Sequence, residues 1–272
     1  MKKLMICAMS LLFSSHNLMG EQVQRIVSAD GSLTEIIYAL DREALLVGVD
    51  TTSGYPKEAT LLPQIGYKRN ISAEGVLSLS PQILVATQDS GPDKILRQIE
   101  ASGVTVTRYS AKPSLDAVRE KILAVATLVD RQAQGEVLWQ RIEQDVATAR
   151  AKVAQIEKRV KVLFVLSMEA GSPIVSGADT HAAEIIRLAG GVNAAQGFSG
   201  YKSMSIEAVI AAQPDIVLMM DRGGDHSGTQ ALLLGPGFNM TPAGNAQRLI
   251  TMDGMKLLGF GPRIAEAITL LS

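Results

Sequence analysis

The chain has 272 residues, a formal net charge of −1 and 47% apolar residues, which is an ordinary globular composition. The balanced charge argues against nucleic acid as the main partner, because the protein offers no basic field to phosphates. The single cysteine, Cys7, excludes an intrachain disulfide and a cysteine-rich metal site.

Residues 1–20 read as a secretory signal peptide. Lys2 and Lys3 precede an apolar run from Leu4 to Phe13, and small or polar residues follow. This layout is typical of such a peptide, whereas a membrane-spanning helix needs about 20 apolar residues. Cys7 comes before most of the apolar run, which makes it a poor lipoprotein anchor. We therefore expect export to a bacterial periplasm, which suits a mature chain without cysteine.

A repeat divides the mature chain into two halves. Residues 72–86 match residues 205–219 at an offset of 133, and residues 66–68 match residues 200–202 at an offset of 134. Each copy has a serine N-cap, a short apolar helix, a proline and then a β-branched run. Such a run is typical of a buried parallel strand.

Other apolar runs predict the remaining strands of the two halves. They are Arg25 to Ser28, Leu45 to Val49, Val104 to Thr107, Val160 to Leu166 and Arg248 to Met252. Helical patterns lie between these strands. The alternation predicts an α/β protein with two Rossmann-like lobes, over residues 21–113 and 159–272.

Residues 114–158 predict a helical connector between the lobes, because they contain no proline and few glycines. One helix begins at Ser114 and ends near Asp130, and Gly135 interrupts the pattern. Glu136–Lys158 then predicts one long helix of about 23 residues, or roughly 34 Å. A single stiff connector predicts lobes that open and close little.

Several short motifs along the mature chain carry a family resemblance. They are Gly48-Val49-Asp50, Tyr55-Pro56, Gly66-Tyr67-Lys68-Arg69, Ser72-Ala73-Glu74-Gly75, Leu188-Ala189-Gly190-Gly191 and Leu234-Gly235-Pro236-Gly237. Together they resemble the haem-binding periplasmic proteins of Gram-negative haem uptake. That family falls in the helical-backbone class (class III) of binding proteins, which serve ABC importers of vitamin B12, ferric siderophores and haem. The resemblance implies haem as the transported ligand and an inner-membrane ABC permease and ATPase as partners, with an outer-membrane haem receptor acting indirectly.

By this resemblance, Tyr67 matches the axial haem tyrosine of the family. Tyrosine is a known haem ligand, and its phenolate is a hard anionic oxygen that suits ferric iron. Lys68 and Arg69 flank it and are candidates for pairing with haem propionates, since an arginine fork fits a carboxylate. Arg222 resembles the family arginine that approaches the tyrosine. The alternatives are a half-packed loop aromatic for Tyr67 and exposed loop charges for its neighbours.

Two further candidates belong to the second half of the chain. Met168 lies near a position where some relatives carry a haem-ligating histidine, and the methionine puts histidine ligation from this loop in doubt. A methionine sulfur can also ligate haem, so Met168 is a candidate for haem contact, with plain packing as the alternative. Tyr201 is the repeat equivalent of Tyr67, and ligation, stacking on the porphyrin and plain packing all stay open for it. The isolated histidines His181 and His226 are candidates to reach the cleft, and they are poor evidence for zinc.

Glu74 and Glu207 occupy the same repeat position, one in each lobe. The resemblance implies that such a pair docks onto arginines of the permease. The alternative is local, because an acid in the first turn of a helix is favoured by capping and by the helix dipole. Symmetric acids on two lobes suit a two-fold permease, and both roles are compatible.

The sequence therefore predicts a monomeric periplasmic protein, not an enzyme, that captures haem between two lobes. The alternative cargo is another iron chelate or a corrinoid, such as a ferric siderophore or vitamin B12. The sequence contains no Gly-x-Ser-x-Gly and no His-Glu-x-x-His, so it gives no support to a secreted hydrolase. A porphyrin-modifying enzyme would also bind haem, and only experiment separates it from a carrier.

Overall fold

The computed structural model describes residues 24–155, 159–221 and 227–272. Among these residues, no helix has the length and apolar character needed to cross a bilayer. The description below follows the chain through a first lobe, a pair of helices and a second lobe.

The first lobe is built on a parallel sheet. Its elements are β1 (Ile26–Ala29), α1 (Gly31–Ala39), β2 (Leu46–Val49), β3 (Gly66–Tyr67), β4 (Asn70–Ile71), α2 (Ala73–Ser78), β5 (Ile83–Thr87), α3 (Asp93–Ala101) and β6 (Thr105–Tyr109). Four strands form a parallel sheet of order β2-β1-β5-β6, and β3 and β4 form a separate antiparallel hairpin. Ile26 packs on one face of this sheet and Val27 on the other, as expected for a strand covered by helices on both sides.

Two helices, α4 (Leu115–Leu128) and α5 (Gln132–Val153), connect the lobes and pack against each other. The expectation that Gly135 interrupts the helical pattern is wrong, because Gly135 lies inside α5. A Cβ at this position would come within 2.4 Å of the Cβ of Ala126 on α4. The glycine therefore permits the close approach of the two helices. The predicted end at Lys158 falls outside the described residues, and α5 ends at Val153.

The second lobe is built on a mixed sheet. Its elements are β7 (Lys161–Glu169), β8 (Ser172–Ser176), α6 (His181–Leu188), β9 (Val192–Asn193), β10 (Tyr201–Ser203), α7 (Ile206–Ala212), β11 (Ile216–Asp221), α8 (Ser227–Leu234), α9 (Pro242–Asn245), β12 (Leu249–Asp253), α10 (Gly254–Leu258) and α11 (Ile264–Leu271). The strand order is β10-β8-β7-β11-β12, with β9 beside β7. Strands β7, β11 and β12 are parallel, whereas β8 and β10 are antiparallel to their neighbours.

The sequence repeat is present as a structural repeat. Ser72 Oγ accepts a hydrogen bond from Gly75 N at 3.1 Å to cap α2, and Ser205 Oγ accepts one from Ala208 N at 3.2 Å to cap α7. In each copy the proline is followed by a central strand of its sheet, β5 or β11. The two α/β lobes and every strand predicted from the sequence are confirmed, each strand within three residues at its ends.

One apolar core runs through both lobes and the connector. It contains Ile36 of α1, Ile122 of α4, Trp139 of α5, Phe164 of β7 and Ile264 of α11, all of them buried. Because the two lobes share these contacts, a change in the distance between them would expose apolar surface. The architecture therefore favours a cleft of nearly fixed width.

Candidate functional site

Three aspartates follow neighbouring strands of the first sheet, where the carboxyl ends of parallel strands meet. Asp30 comes after β1, Asp50 after β2 and Asp89 after β5. Asp30 caps α1 by accepting a hydrogen bond from Ser32 N at 2.8 Å. In open α/β sheets, ligands bind at this edge.

The hairpin β3–β4 lies over this edge and carries Tyr67. Thr51 N donates to Gly66 O at 3.0 Å, and Lys68 N donates to the Asp50 carboxylate at 3.2 Å. Gly91 N donates to Lys68 O at 2.9 Å. The loops after β2 and β5 therefore hold both sides of the hairpin turn in place.

The phenol of Tyr67 is accessible at the surface of the first lobe. Its side chain is 42% exposed, and its Oη accepts a hydrogen bond from Arg69 Nη1 at 3.0 Å. The other terminal nitrogen of Arg69 donates to Asp89 Oδ2 at 2.6 Å. The phenolic oxygen thus keeps a fixed position beside a cation, and a tyrosine oxygen is an established type of haem ligand.

Lys68 turns into the lobe instead of towards the cleft. Its Nζ lies 2.6 Å from Asp30 Oδ2 and 3.1 Å from Asp89 Oδ1, and its side chain is 15% exposed. Burial acts to raise the pKa of Asp30, but Lys68 and Lys121 together hold that pKa below its usual range. Lys68 thus anchors the hairpin through two ion pairs, and of the two cations beside Tyr67 it is Arg69 that stays half-exposed.

Tyr201 faces this group from the second lobe. Its ring packs edge-on to Phe164 with the centroids 6.2 Å apart, and its side chain is 38% exposed. Burial raises the pKa of Tyr201, while hydrogen bonds with Ala182 and Thr180 and the positive charge of Arg69 act in the opposite direction. Arg69, which donates to Tyr67, therefore also acts electrostatically on the repeat-related tyrosine of the second lobe.

Met168 lies at the end of β7 and is 44% exposed. The register pairs Met168 with Pro173 and Tyr201 with Ser176, and both partners are on β8. Because successive residues of a strand point to opposite faces, Met168 and Tyr201 lie on opposite faces of the second sheet. The structure therefore does not bring these two candidates together on one face.

His181 lies between the lobes at the start of α6. Its ring packs edge-on to Phe260 at 5.3 Å, and it forms a hydrogen bond with the backbone of Ala111. Burial and the positive charge of Lys68 lower its pKa. His181 therefore packs between Phe260 and the Ala111 backbone, within the influence of the Lys68 charge, whereas Arg222 and His226 lie outside the described residues.

Glu74 and Glu207 are both exposed in the first turns of α2 and α7. Hydrogen bonds from its own backbone and from Ser205 lower the pKa of Glu207. Both acids can therefore stabilise the starts of their helices and still expose a carboxylate for contact with a partner.

The sequence reasoning did not single out Asp30, Asp50, Asp89 or the buried Lys121. A signal for the aspartates was present, because each follows the last apolar residues of a strand that the sequence predicts. Parallel strands gather such residues at one edge. The position of Lys121 had no comparable signal, since a lysine within a helical pattern is typical of a solvated face.

A cavity of about 530 Å³ lies at the other end of the second sheet. It is bounded by the first residues of β7, β11 and β12 and by the ends of α5 and α6, and its lining is mostly apolar. This places it away from the carboxyl ends of the parallel strands, and therefore away from Tyr67. It is not part of the site described above.

Comparisons of the sequence and of the fold with known proteins identify relatives among periplasmic binding proteins. A family model described as periplasmic binding protein matches residues 26–255. The periplasmic heme-binding protein BhuT, solved in complex with two hemes, is 41% identical with a TM-score of 0.85 and covers 91% of this chain and 96% of its own. The periplasmic heme-binding protein RhuT from Roseiflexus sp. RS-1, in apo form, is 41% identical with a TM-score of 0.86 and the same coverage.

A more distant relative is the vitamin B12-binding protein of Vibrio parahaemolyticus. It is 29% identical over 209 residues, which cover 76% of this chain and 74% of that protein. The resemblance to haem-binding periplasmic proteins drawn from the sequence motifs is confirmed by the structural matches. The family model covers most of the chain, and the chain belongs to the periplasmic binding protein family, with the fold of its class III members.

Proposed function

We propose that this protein captures haem in the cleft between its lobes and delivers it to an inner-membrane ABC permease. The observation that carries the proposal is the exposed phenol of Tyr67, with the Arg69 guanidinium 3.0 Å from its oxygen. A tyrosine oxygen is an established type of haem ligand. The phenol is exposed and its oxygen is held by the hydrogen bond from Arg69, so Tyr67 is the proposed iron ligand.

The walls of the cleft suit a flat, apolar and doubly acidic ligand. Tyr201 offers an exposed ring on the second lobe for contact with the porphyrin, whereas Met168 lies on the other face of the second sheet and does not share that contact surface. Burial of the macrocycle is worth roughly 25 cal/mol per Å² of apolar surface and supplies much of the affinity. Arg69, whose side chain is 55% exposed, has donors left for a propionate beyond those used by Tyr67 and Asp89. Arg222 is proposed as a second arginine that approaches the Tyr67 oxygen.

Lys68 has a supporting role in this proposal. Its ammonium is paired with Asp30 and Asp89, and these ion pairs hold the β3–β4 hairpin against the first lobe. Any contribution of Lys68 to propionate binding therefore acts indirectly, through the position of Arg69.

Delivery requires a surface that the permease recognises in the loaded protein. Glu74 and Glu207 are exposed at repeat-related positions, one on each lobe. We assign them to docking on basic residues of a two-fold permease, with the protein acting as a monomer in the periplasm. The signal peptide proposed for residues 1–20 provides the route to that compartment.

A corrinoid is the second candidate cargo, because a relative of 29% identity is a vitamin B12-binding protein. The structural neighbours of 41% identity are heme-binding proteins, which favours haem. Tyr67 also favours haem, since a tyrosine oxygen is an established type of haem ligand.

Titration of the purified mature protein with hemin, and separately with cyanocobalamin, tests the proposal by absorbance. We expect saturable hemin binding with a tyrosinate-to-iron charge-transfer band and no change with cyanocobalamin. Recovery of intact porphyrin after incubation with a reductant would agree with a carrier. Saturable cyanocobalamin binding without a hemin spectrum would overturn the assignment in favour of a corrinoid, and degraded porphyrin would indicate an enzyme.

A further inference from the structure

The carboxylate of Asp89 bridges the two cations of the Tyr67 hairpin. Asp89 Oδ2 lies 2.6 Å from Arg69 Nη2, and Asp89 Oδ1 lies 3.1 Å from Lys68 Nζ. Thr87 Oγ1 adds a hydrogen bond to Oδ1 at 2.7 Å. Each carboxylate oxygen is therefore engaged, and the orientation of Asp89 is fixed on both sides.

The bridge continues into the interior of the protein. Lys68 Nζ also pairs with Asp30 Oδ2 at 2.6 Å, and Ser32 Oγ donates to Asp30 Oδ1 at 2.5 Å. Lys121 of α4 donates to Ser32 Oγ at 2.8 Å. Asp30, Ser32 and Lys121 are buried, so the interior end of this series of contacts is shielded from solvent. A continuous set of polar contacts thus runs from the connector to the cleft.

Arg69 is the outermost cation in this series of polar contacts, and the position of its guanidinium depends on Asp89. One terminal nitrogen binds Asp89 and the other donates to Tyr67 Oη at 3.0 Å. A guanidinium is planar, so fixing one nitrogen aims the other. Without the carboxylate, a side chain that is 55% exposed regains its freedom in solvent and leaves the phenol for part of the time.

We propose that Asp89 is a positioning residue that holds the Arg69 guanidinium on the Tyr67 oxygen and so tunes the strength of the tyrosine–iron bond. The inference rests on the proposed function, in which Tyr67 binds ferric haem. A hydrogen bond to a phenolate withdraws electron density from the oxygen that donates to iron. With the bond in place, the oxygen stays anionic but holds ferric iron less tightly, which suits a carrier that must release its cargo.

The test is Asp89→Asn, with Asp93→Asn as the matched control. Asp93 lies close to Asp89 in the chain and pairs with Arg108 at 2.9 Å, so its replacement makes the same change in charge without a direct contact to Arg69 or Tyr67. Both variants and the wild type are loaded with hemin. The readouts are the charge-transfer band, the midpoint potential of the bound haem and the circular dichroism of the fold.

In Asp89→Asn we expect the band to move to longer wavelength and the ferric state to be favoured about tenfold more than in wild type, which is about 59 mV for a one-electron couple. Asp89→Glu keeps the charge, and its values should return towards those of wild type. Asp93→Asn should match wild type. If Asp89→Asn fails to fold, Arg69→Lys is measured instead, because lysine cannot contact both partners in the same geometry. It should shift both readouts in the same direction.

Two results would overturn the inference. One is an unchanged band and potential in Asp89→Asn while Arg69→Ala shifts both, which would mean that Arg69 needs no carboxylate. The other is an equal shift in Asp93→Asn, which would mean that the net charge acts without positioning. A wild-type protein with no tyrosinate spectrum would instead refute the proposed function, so the two failures are distinguishable.

Discussion

Arg263 of the second lobe binds Glu35 of the first through two hydrogen bonds, with Nη2 2.5 Å from Oε1 and Nε 3.0 Å from Oε2. Both side chains are almost fully buried. Arg263 also contacts Asp253 at 2.9 Å, and the Tyr55 ring lies 4.1 Å from its guanidinium carbon. This pair spans 228 residues of sequence and ties the two lobes together.

Removal of one member of this pair should be costly. Arg263→Ala leaves the Glu35 carboxylate buried without its cation, and we expect the free energy of unfolding to fall by about 3–5 kcal/mol. Urea denaturation measures the change. Arg187→Ala is the control, because the Arg187–Glu184 pair lies largely at the surface, and its loss should cost under about 1 kcal/mol. Equal losses in the two variants would contradict a structural role for the inter-lobe pair.

Gly135 provides a test in which packing and helix propensity predict opposite signs. Alanine is favoured over glycine by about 1 kcal/mol within a helix. At this position, however, the added Cβ would meet the Cβ of Ala126 at 2.4 Å. We expect Gly135→Ala to lower the free energy of unfolding by about 1–3 kcal/mol, and the added change Ala126→Gly to restore part of it. A more stable Gly135→Ala protein would show that the α4–α5 contact is not tight.

Asp50 should make stability depend on pH. Burial raises the pKa of Asp50 from 3.8 to about 6. At a pH between these two pKa values, folded Asp50 keeps a proton that the unfolded chain has released. The free energy of unfolding therefore falls as the pH rises from about 4 to about 6. Relative to Asp50→Asn, the wild type should lose about 2 kcal/mol between pH 4 and pH 7. Unfolding of both proteins across this range measures the difference, and a difference that is independent of pH would exclude the raised pKa.

The docking assignment separates cargo binding from delivery. Glu74→Ala combined with Glu207→Ala should leave hemin binding unchanged, because both side chains are exposed on α2 and α7 and make no described contact with Tyr67. The same variant should stimulate the ATPase of the haem importer in proteoliposomes at least about tenfold less than wild type. Glu100→Ala, an exposed acid at the end of α3, is the control. Full stimulation by the double variant would exclude docking through these acids.

Much of the fold could be predicted because its signals are local. The β-branched runs that became β1, β5 and β11 are continuous and apolar, as strands buried on both faces must be. Strands β8 and β10 gave no such signal. β10 is three exposed residues, and β8 contains a proline and two serines, so β8 forms because β7 is there to pair with it, and β10 forms because β8 is.

The site was predictable in its residue types and less so in their orientation. The resemblance indicated the importance of Tyr67 and Arg69, and the structure brings their side chains into contact. The turn of Lys68 into the lobe depends on Asp30 and Asp89, which are 38 and 21 residues away. Gly135 was misread for a related reason, because the space open to a side chain there is limited by Ala126 on another helix. Long-range contacts of this kind leave no local pattern.

The central claim is that Tyr67 is the ligand of haem iron, and a matched pair of variants tests it most directly. Tyr67→Phe and Tyr201→Phe each remove one phenolic oxygen from repeat-related positions and keep the ring. Absorbance titration with hemin should show the tyrosinate-to-iron charge-transfer band in wild type and Tyr201→Phe, and its loss in Tyr67→Phe. A band that survives in Tyr67→Phe and disappears in Tyr201→Phe would contradict the account and move the iron to the second lobe.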